Sequence, residues 1–159
     1  ADLMALMEEV FFSFTMGGEC LSLAAADAAL AKLEREPVVE ALAQRGREVL
    51  AGTQALIDRH GLGEVFTLSG HPAWSFLAIK DQPSADALTL KTLFMQEVLA
   101  RGVLAYGTHN MSYAHGDAEV AALLAAYDAT FAVMAEALSD GDVLARLRCE
   151  PLKPLFKVR

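Results

Sequence analysis

Two short runs rich in β-branched and aromatic residues, Val65-Phe66-Thr67-Leu68 and Trp74-Ser75-Phe76-Leu77-Ala78-Ile79, stand in the middle of a chain whose other stretches are mostly helical in pattern. Ser69-Gly70-His71-Pro72 between them reads as a turn. So short a connection favours antiparallel or mixed pairing, because parallel neighbours need a long crossover. This pair sets the fold class as α/β or α+β, with helices covering one face of a small sheet.

The flanking stretches have the helical period. Glu19 opens a run through Leu21, Leu23, Ala24, Ala25, Ala28, Leu30 and Leu33, whose small residues suit close packing. Pro37 suits the first turn of the next helix, where Val39, Leu42, Val49, Leu56 and Ile57 recur at three-to-four spacing until Gly61 and Gly63. Beyond the β-rich pair, Pro83-Ser84 begins a helix with Ser84 as its N-cap and Gly102 as its stop. Val103–Tyr106 and Asn110–Ala114 read as two further extended pieces, which makes about four strands in all. Asp117 then caps a long helix carrying Val120, Leu123, Leu124, Tyr127, Phe131, Met134 and Leu138. Residues 151–159 read as a polar–apolar tail that lies along a surface.

Of 159 residues, 54% are hydrophobic and 21% charged, which suits one packed domain and excludes a disordered chain. The net charge of −8 argues against nucleic acid or an anionic membrane as a partner, since both select a positive surface. Cys20 and Cys149 have neither disulfide-framework nor zinc spacing, which makes a reducing cytoplasm the expected setting. No uninterrupted apolar run reaches bilayer-spanning length, and no signal peptide is expected.

Chemistry-bearing residues are sparse. His60, His71, His109 and His115 form no metal-ligand pattern. His60 suits the negative end of a helix dipole. His109-Asn110 beside Tyr106 suits either a substrate pocket or a turn between strands. Ser13-Phe14-Thr15-Met16-Gly17-Gly18-Glu19 places a hydroxyl and two glycines at the mouth of a helix. Such a junction can cradle a phosphate with free N–H groups, although a strand–turn–helix junction needs glycines in any case.

Several segments together resemble one family. Phe12-Ser13-Phe14-Thr15-Met16-Gly17-Gly18-Glu19, the Ala-rich stretch Leu21–Ala26 and Leu33-Glu34-Arg35-Glu36-Pro37 resemble the region after the Schiff-base lysine of class III pyridoxal-phosphate aminotransferases, most of all the glutamate-1-semialdehyde aminomutase branch. Gly102-Val103-Leu104 and Ser112-Tyr113-Ala114-His115-Gly116-Asp117-Ala118-Glu119-Val120 resemble that family's late block. The likeness runs in order from Glu9 to Leu138.

This resemblance implies the small C-terminal domain of a fold-type I transferase. Residues 1–36 would end the large domain, 37–140 would form the small domain, and 141–159 the tail. It implies pyridoxal 5'-phosphate as cofactor in the intact enzyme and a homodimer in which Thr15 contacts the cofactor phosphate of the neighbouring subunit. None of Lys32, Lys80, Lys91, Lys153 and Lys157 matches the Schiff-base position, so the chain is expected to be a C-terminal part that does not transaminate alone. Where the aminomutase branch carries a Glu near the substrate, this chain has Tyr106-Gly107-Thr108-His109-Asn110. That leaves a small amino acid, an amino-aldehyde or an amino sugar open as substrate, with His109 and Asn110 as candidate contacts. The alternative is a stand-alone binding or assembly module derived from such a domain.

Overall fold

The structure is a computed structural model that describes residues 2–10 and 15–154. The chain divides into two compact units, Ala1–Val38 and Val39–Arg159.

The first unit holds α1 (Asp2–Ala5), a 3-10 turn (Leu6–Glu8) and α2 (Cys20–Arg35). Glu19 caps α2: its carboxylate accepts hydrogen bonds from the Leu21 and Ser22 N–H groups, both at 2.7 Å. Lys32 and Arg35 in the last turn complement the negative end of the dipole. No residue of α2 is buried, and Leu21, Leu23, Leu30 and Leu33 are exposed.

The second unit is α+β. It comprises α3 (Val38–Arg59, which begins at the boundary), β1 (Phe66–His71), β2 (Trp74–Ile79), α4 (Ala87–Ala100), β3 (Thr108–Asn110), α5 (Asp117–Asp140) and a 3-10 turn (Val143–Arg146). The sheet is antiparallel throughout, in the order β1-β2-β3. β1 runs further than its apolar residues suggest. Ser69, Gly70 and His71 pair with Phe76, Ser75 and Trp74, so the turn is Pro72-Ala73. Backbone pairing needs no apolar side chain, which is why residues that read as a turn continue the strand.

Three strands form among the described residues rather than four. Residues 103–106 join no strand, and only Thr108–Asn110 meets the free edge of β2. The pairing is extended at each end by Leu77 N–H to the Gly107 carbonyl and Met111 N–H to the Ala73 carbonyl.

Two helix starts also move. α4 begins at Ala87, because the Asp86 carboxylate accepts from Thr89 N–H and the Asp81 carboxylate from Ala87 N–H, each at 2.7 Å. Ser84 lies outside, in a turn closed by backbone bonds between Gln82 and Ala85. In α5 the N-cap is Gly116 and Asp117 is the first helical residue. Glu119 reaches back to accept from Gly116 N–H at 2.8 Å.

Phe94 of α4 and Tyr127 and Phe131 of α5 are fully buried and pack with Phe66 of β1. The Phe66 and Phe131 ring centroids lie 4.8 Å apart, and those of Phe94 and Tyr127 5.4 Å. Each such ring contributes roughly 1.5–3 kcal/mol by leaving water. α5 is long and apolar enough to cross a bilayer, with a mean hydropathy of 1.5 over its most apolar window. Here its apolar residues Tyr127, Phe131, Met134 and Ala137 are spent on the core.

α3 meets both layers through glycines. A Cβ at Gly46 would lie 1.8 Å from the Pro72 carbonyl oxygen in the hairpin turn. One at Gly52 would lie 2.6 Å from the Leu124 side chain of α5.

Candidate functional site

Alternation along β2 and β3 divides the site residues between two faces. Ser75, Leu77 and His109 point inward, whereas Trp74, Phe76, Thr108 and Asn110 point outward. His109 and Asn110, adjacent in sequence, therefore do different things.

His109 is 3% exposed. Its Nδ1 lies 3.0 Å from Ser75 Oγ and its Nε2 2.9 Å from the Tyr127 hydroxyl. The imidazole thus ties β2, β3 and α5 together with both ring nitrogens engaged. Burial holds its pKa below the ordinary histidine value and pushes the Tyr127 phenol upward. In the neutral form that burial favours, the ring donates through one nitrogen and accepts through the other, and His109 also borders the cleft described next. Asn110 keeps an exposed side chain, opposite Trp74 in the register. The tilted Trp74 and Phe76 rings lie beside it, with centroids 5.4 Å apart.

A cleft of about 480 Å³ opens between α3, the 102–111 segment and the start of α5. Val49, Val103, Leu104 and Leu123 form its apolar wall, and Asn110, His115 and Glu119 its polar part. Glu119 is held below the usual carboxylate range by the Gly116 N–H bond. His115 Nδ1 accepts from Ser112 N–H at 3.1 Å, which leaves the ring hydrogen on Nε2 in the neutral form. Among the described residues, neither lysine nor arginine lines this cleft.

A second cleft, of about 470 Å³, is bordered by His60, Gln82, Ser84 and Ser139. His60, just past the end of α3, also has a partner: its Nε2 lies 2.6 Å from Asp128 Oδ1, and Arg59 holds the other oxygen at 3.0 Å. The His60 bond, with Arg59 adding to it, keeps the Asp128 carboxyl below its ordinary range. Among the described residues, no group of three or more His, Cys, Asp or Glu is arranged to hold a metal ion.

Thr15 lies exposed in the turn 15–18, and the residues before it, Phe11–Phe14, fall outside the described residues. A Cβ on Gly18 would meet nothing within 4 Å among the described residues. The N-terminus of α2 is not the free cradle that its glycines suggest, because Glu19 already fills it with a carboxylate. Its hydrogen bonds, those with Ser22 foremost and that from Leu21 after them, hold the Glu19 carboxyl low. No lysine among the described residues lines either cleft. Of the described turn residues 15–18, Thr15 alone carries a hydroxyl, and it is exposed.

Ser75, Tyr127 and Glu19 escaped the sequence reading for different reasons. Ser75 and Tyr127 lie 34 and 18 positions from His109, and no local pattern links them. Glu19 is not one of the short polar residues that announce an N-cap.

No family model matches this chain. Solved structures do. The FumI protein of Sphingopyxis sp. MTA144, in its PLP internal aldimine form, superposes over 89% of this chain with a TM-score of 0.70 and 26% identity. A transaminase with PLP bound covers 84% at a TM-score of 0.70 and 17% identity. An omega-transaminase from Sphaerobacter thermophilus covers 61% at 0.52 and 18%. The chain accounts for 32%, 31% and 24% of those proteins, so it spans about a third of the solved structures it matches best among these. Its fold is that of part of a PLP-dependent transaminase, an α+β unit with a small antiparallel sheet covered by helices, as in the small domain of such enzymes.

Proposed function

We propose that this chain serves as the C-terminal portion of a pyridoxal-phosphate-dependent aminotransferase or aminomutase of class III, acting in a cytoplasmic homodimer. The observation that carries the reading is the superposition on FumI over 89% of the chain at 26% identity. The ordered likeness from Glu9 to Leu138 supports it further. The cofactor supplies the electron sink for amino-group transfer, and its lysine would belong to the part of the enzyme without a counterpart here. This chain's contribution is binding and shape. Thr15 offers its exposed hydroxyl to the cofactor phosphate across the dimer, and Asn110 offers its amide to a small amino-acid or amino-sugar substrate. His109 acts behind it, fixing β3 from the core side. The particular branch, glutamate-1-semialdehyde aminomutase, rests on the sequence likeness alone.

The test is borohydride reduction of the chain mixed with pyridoxal phosphate, followed by peptide mapping. The chain alone should give no stoichiometric adduct on a defined lysine. The same chain expressed with whatever reading frame precedes it should give one, on a lysine in the preceding part. A stoichiometric adduct on one lysine of the isolated chain would overturn the proposal.

A second reading, a non-catalytic assembly module, draws on α2, which exposes Leu21, Leu23, Leu30 and Leu33 and buries nothing. A reading frame that starts just before Ala1, with the chain self-associating through those leucines, would favour it.

A further inference from the structure

After the turn Val143–Arg146 the chain leaves helical structure and runs back along α4, joined to it by side chains rather than by a ladder. Gln96 joins the end of that turn to the tail: its Nε2 donates to the Arg146 carbonyl at 3.0 Å and its Oε1 accepts from Arg148 N–H at 2.6 Å. One turn earlier on α4, Thr92 Oγ1 accepts from Leu152 N–H at 2.9 Å. Glu97, nearly buried, accepts from the Arg148 guanidinium at 2.7 Å. The α4 groups thus read two backbone N–H groups four residues apart and one arginine.

Each of these α4 groups has a second partner in the body of the unit. Thr92 also donates to the Leu88 carbonyl at 2.7 Å. Gln96 keeps its bond to Arg146, which is itself fixed by Glu136, Asp140 and Asp142. Glu97 remains paired with Arg101 at 2.7 Å. Burial works to raise the Glu97 pKa, and the bonds from Arg101, Gln96 and Arg148 outweigh it. Loss of the tail would therefore leave no buried charge uncompensated, which is the condition that makes breaking a buried pair severe. The Arg148 side chain is 65% exposed, so its pairing is the weaker, releasable one.

We propose that the Thr92–Gln96–Glu97 face of α4 is a peptide-docking groove, filled here by residues 148–152 of the same chain and able to take the identical segment of a second copy. The recognised pattern is an arginine followed by a backbone N–H four residues on. Exchange of an identical segment between copies needs no new contact. The inference does not depend on the proposed enzymatic role.

The experiment uses a chain ending at Leu147, which retains the Arg146 cluster, and an N-acetylated, dye-labelled peptide of residues 148–154 with Cys149→Ser against oxidation. Folding of the shortened chain is checked by circular dichroism, and binding by fluorescence anisotropy. Saturable binding is expected, weakened a few-fold, to about fivefold at most, by Arg148→Ala in the peptide, as for loss of a largely exposed ion pair. No saturable binding to a folded shortened chain, or binding indifferent to Arg148→Ala, overturns the groove. If the shortened chain does not fold, amide exchange on the full chain decides. Gln96→Ala should speed exchange at Arg148 and Leu152 while β2 amides keep their protection. Equal acceleration at all of them would mean that the tail is inseparable from the core, and would overturn the proposal.

Discussion

Gly46 of α3 lies so close to Pro72 in the hairpin turn that a Cβ there would stand 1.8 Å from the Pro72 carbonyl oxygen. The opposing atoms are backbone, so nothing can swing aside. Gly46→Ala would gain about 1 kcal/mol of helix propensity in an exposed helix. Here it must push α3 off the hairpin, and we expect a net loss of about 2 kcal/mol or more, within the range for overpacking. Gly52→Ala faces the tip of the Leu124 side chain, which can rotate, and should lose less. Urea denaturation of the two variants checks the order; an equal or more stable Gly46→Ala protein would refute the contact.

Tyr127→Phe keeps the ring in the core but removes the hydroxyl facing His109 Nε2. A buried ring nitrogen is then left unpartnered, at about 1–3 kcal/mol. Ser75→Ala removes the other partner. Because both act through one imidazole, the double variant should be non-additive. A double-mutant cycle with no coupling energy would show that His109 does not link them.

The low pKa of His109 has a definite pH signature. The unfolded chain takes up a proton near the ordinary value of 6.5, whereas the folded chain takes it up only at lower pH. Between those two values the unfolded state binds more protons, so stability rises with pH through that window. The contribution is fully present above the unfolded value and is lost as pH falls below it. Denaturation at pH 7.5 and pH 5.5 should show the loss in the native protein and a smaller one in His109→Gln. Identical pH dependence in both would assign it elsewhere.

Neighbouring substitutions should separate cleanly. Asn110→Ala removes an exposed side chain and should change stability by less than about 0.5 kcal/mol. His109→Ala opens the core and orphans Ser75 and Tyr127, with a loss of about 2–4 kcal/mol. Under the proposed function the reverse is expected of substrate affinity in an assembled enzyme, with the direct loss at Asn110→Ala. Matching thermal shifts for the two variants would contradict the division of the sheet faces.

Trp74 is the sole tryptophan and is 57% exposed on the outer face of the sheet. Its emission in this chain should be that of a solvent-exposed indole, readily quenched by acrylamide. A blue-shifted, protected emission at low protein concentration would mean that the outer face is covered.

Much of the fold was legible in the sequence because it follows from local period and punctuation. The three-to-four spacing of α3 and α5 and the glycine stop after α4 placed the helices, and the short connection in the β-rich pair favoured antiparallel or mixed pairing. Boundaries failed where a side chain outside the expected type took an N–H group. Asp86 with Asp81 displaced Ser84 from the start of α4, and Glu19 turned an apparent anion cradle into a closed cap. The strand ends failed because edge pairing depends on what lies alongside, as with 103–106, which find no edge to join.

By itself the sequence determined which segments are helical and that a hairpin lies at the centre, and it left residues 109 and 110 together as candidate contacts, without the two faces that a strand gives them. Only the tertiary structure decided which of those faces would be covered. α5 lays Tyr127 against the inner one, so His109 becomes a buried link with both nitrogens engaged, and Asn110 stays in water beside Trp74. The physical reason is that alternation is a property of one strand, whereas burial and hydrogen-bond partnership belong to pairs of residues brought together across the fold.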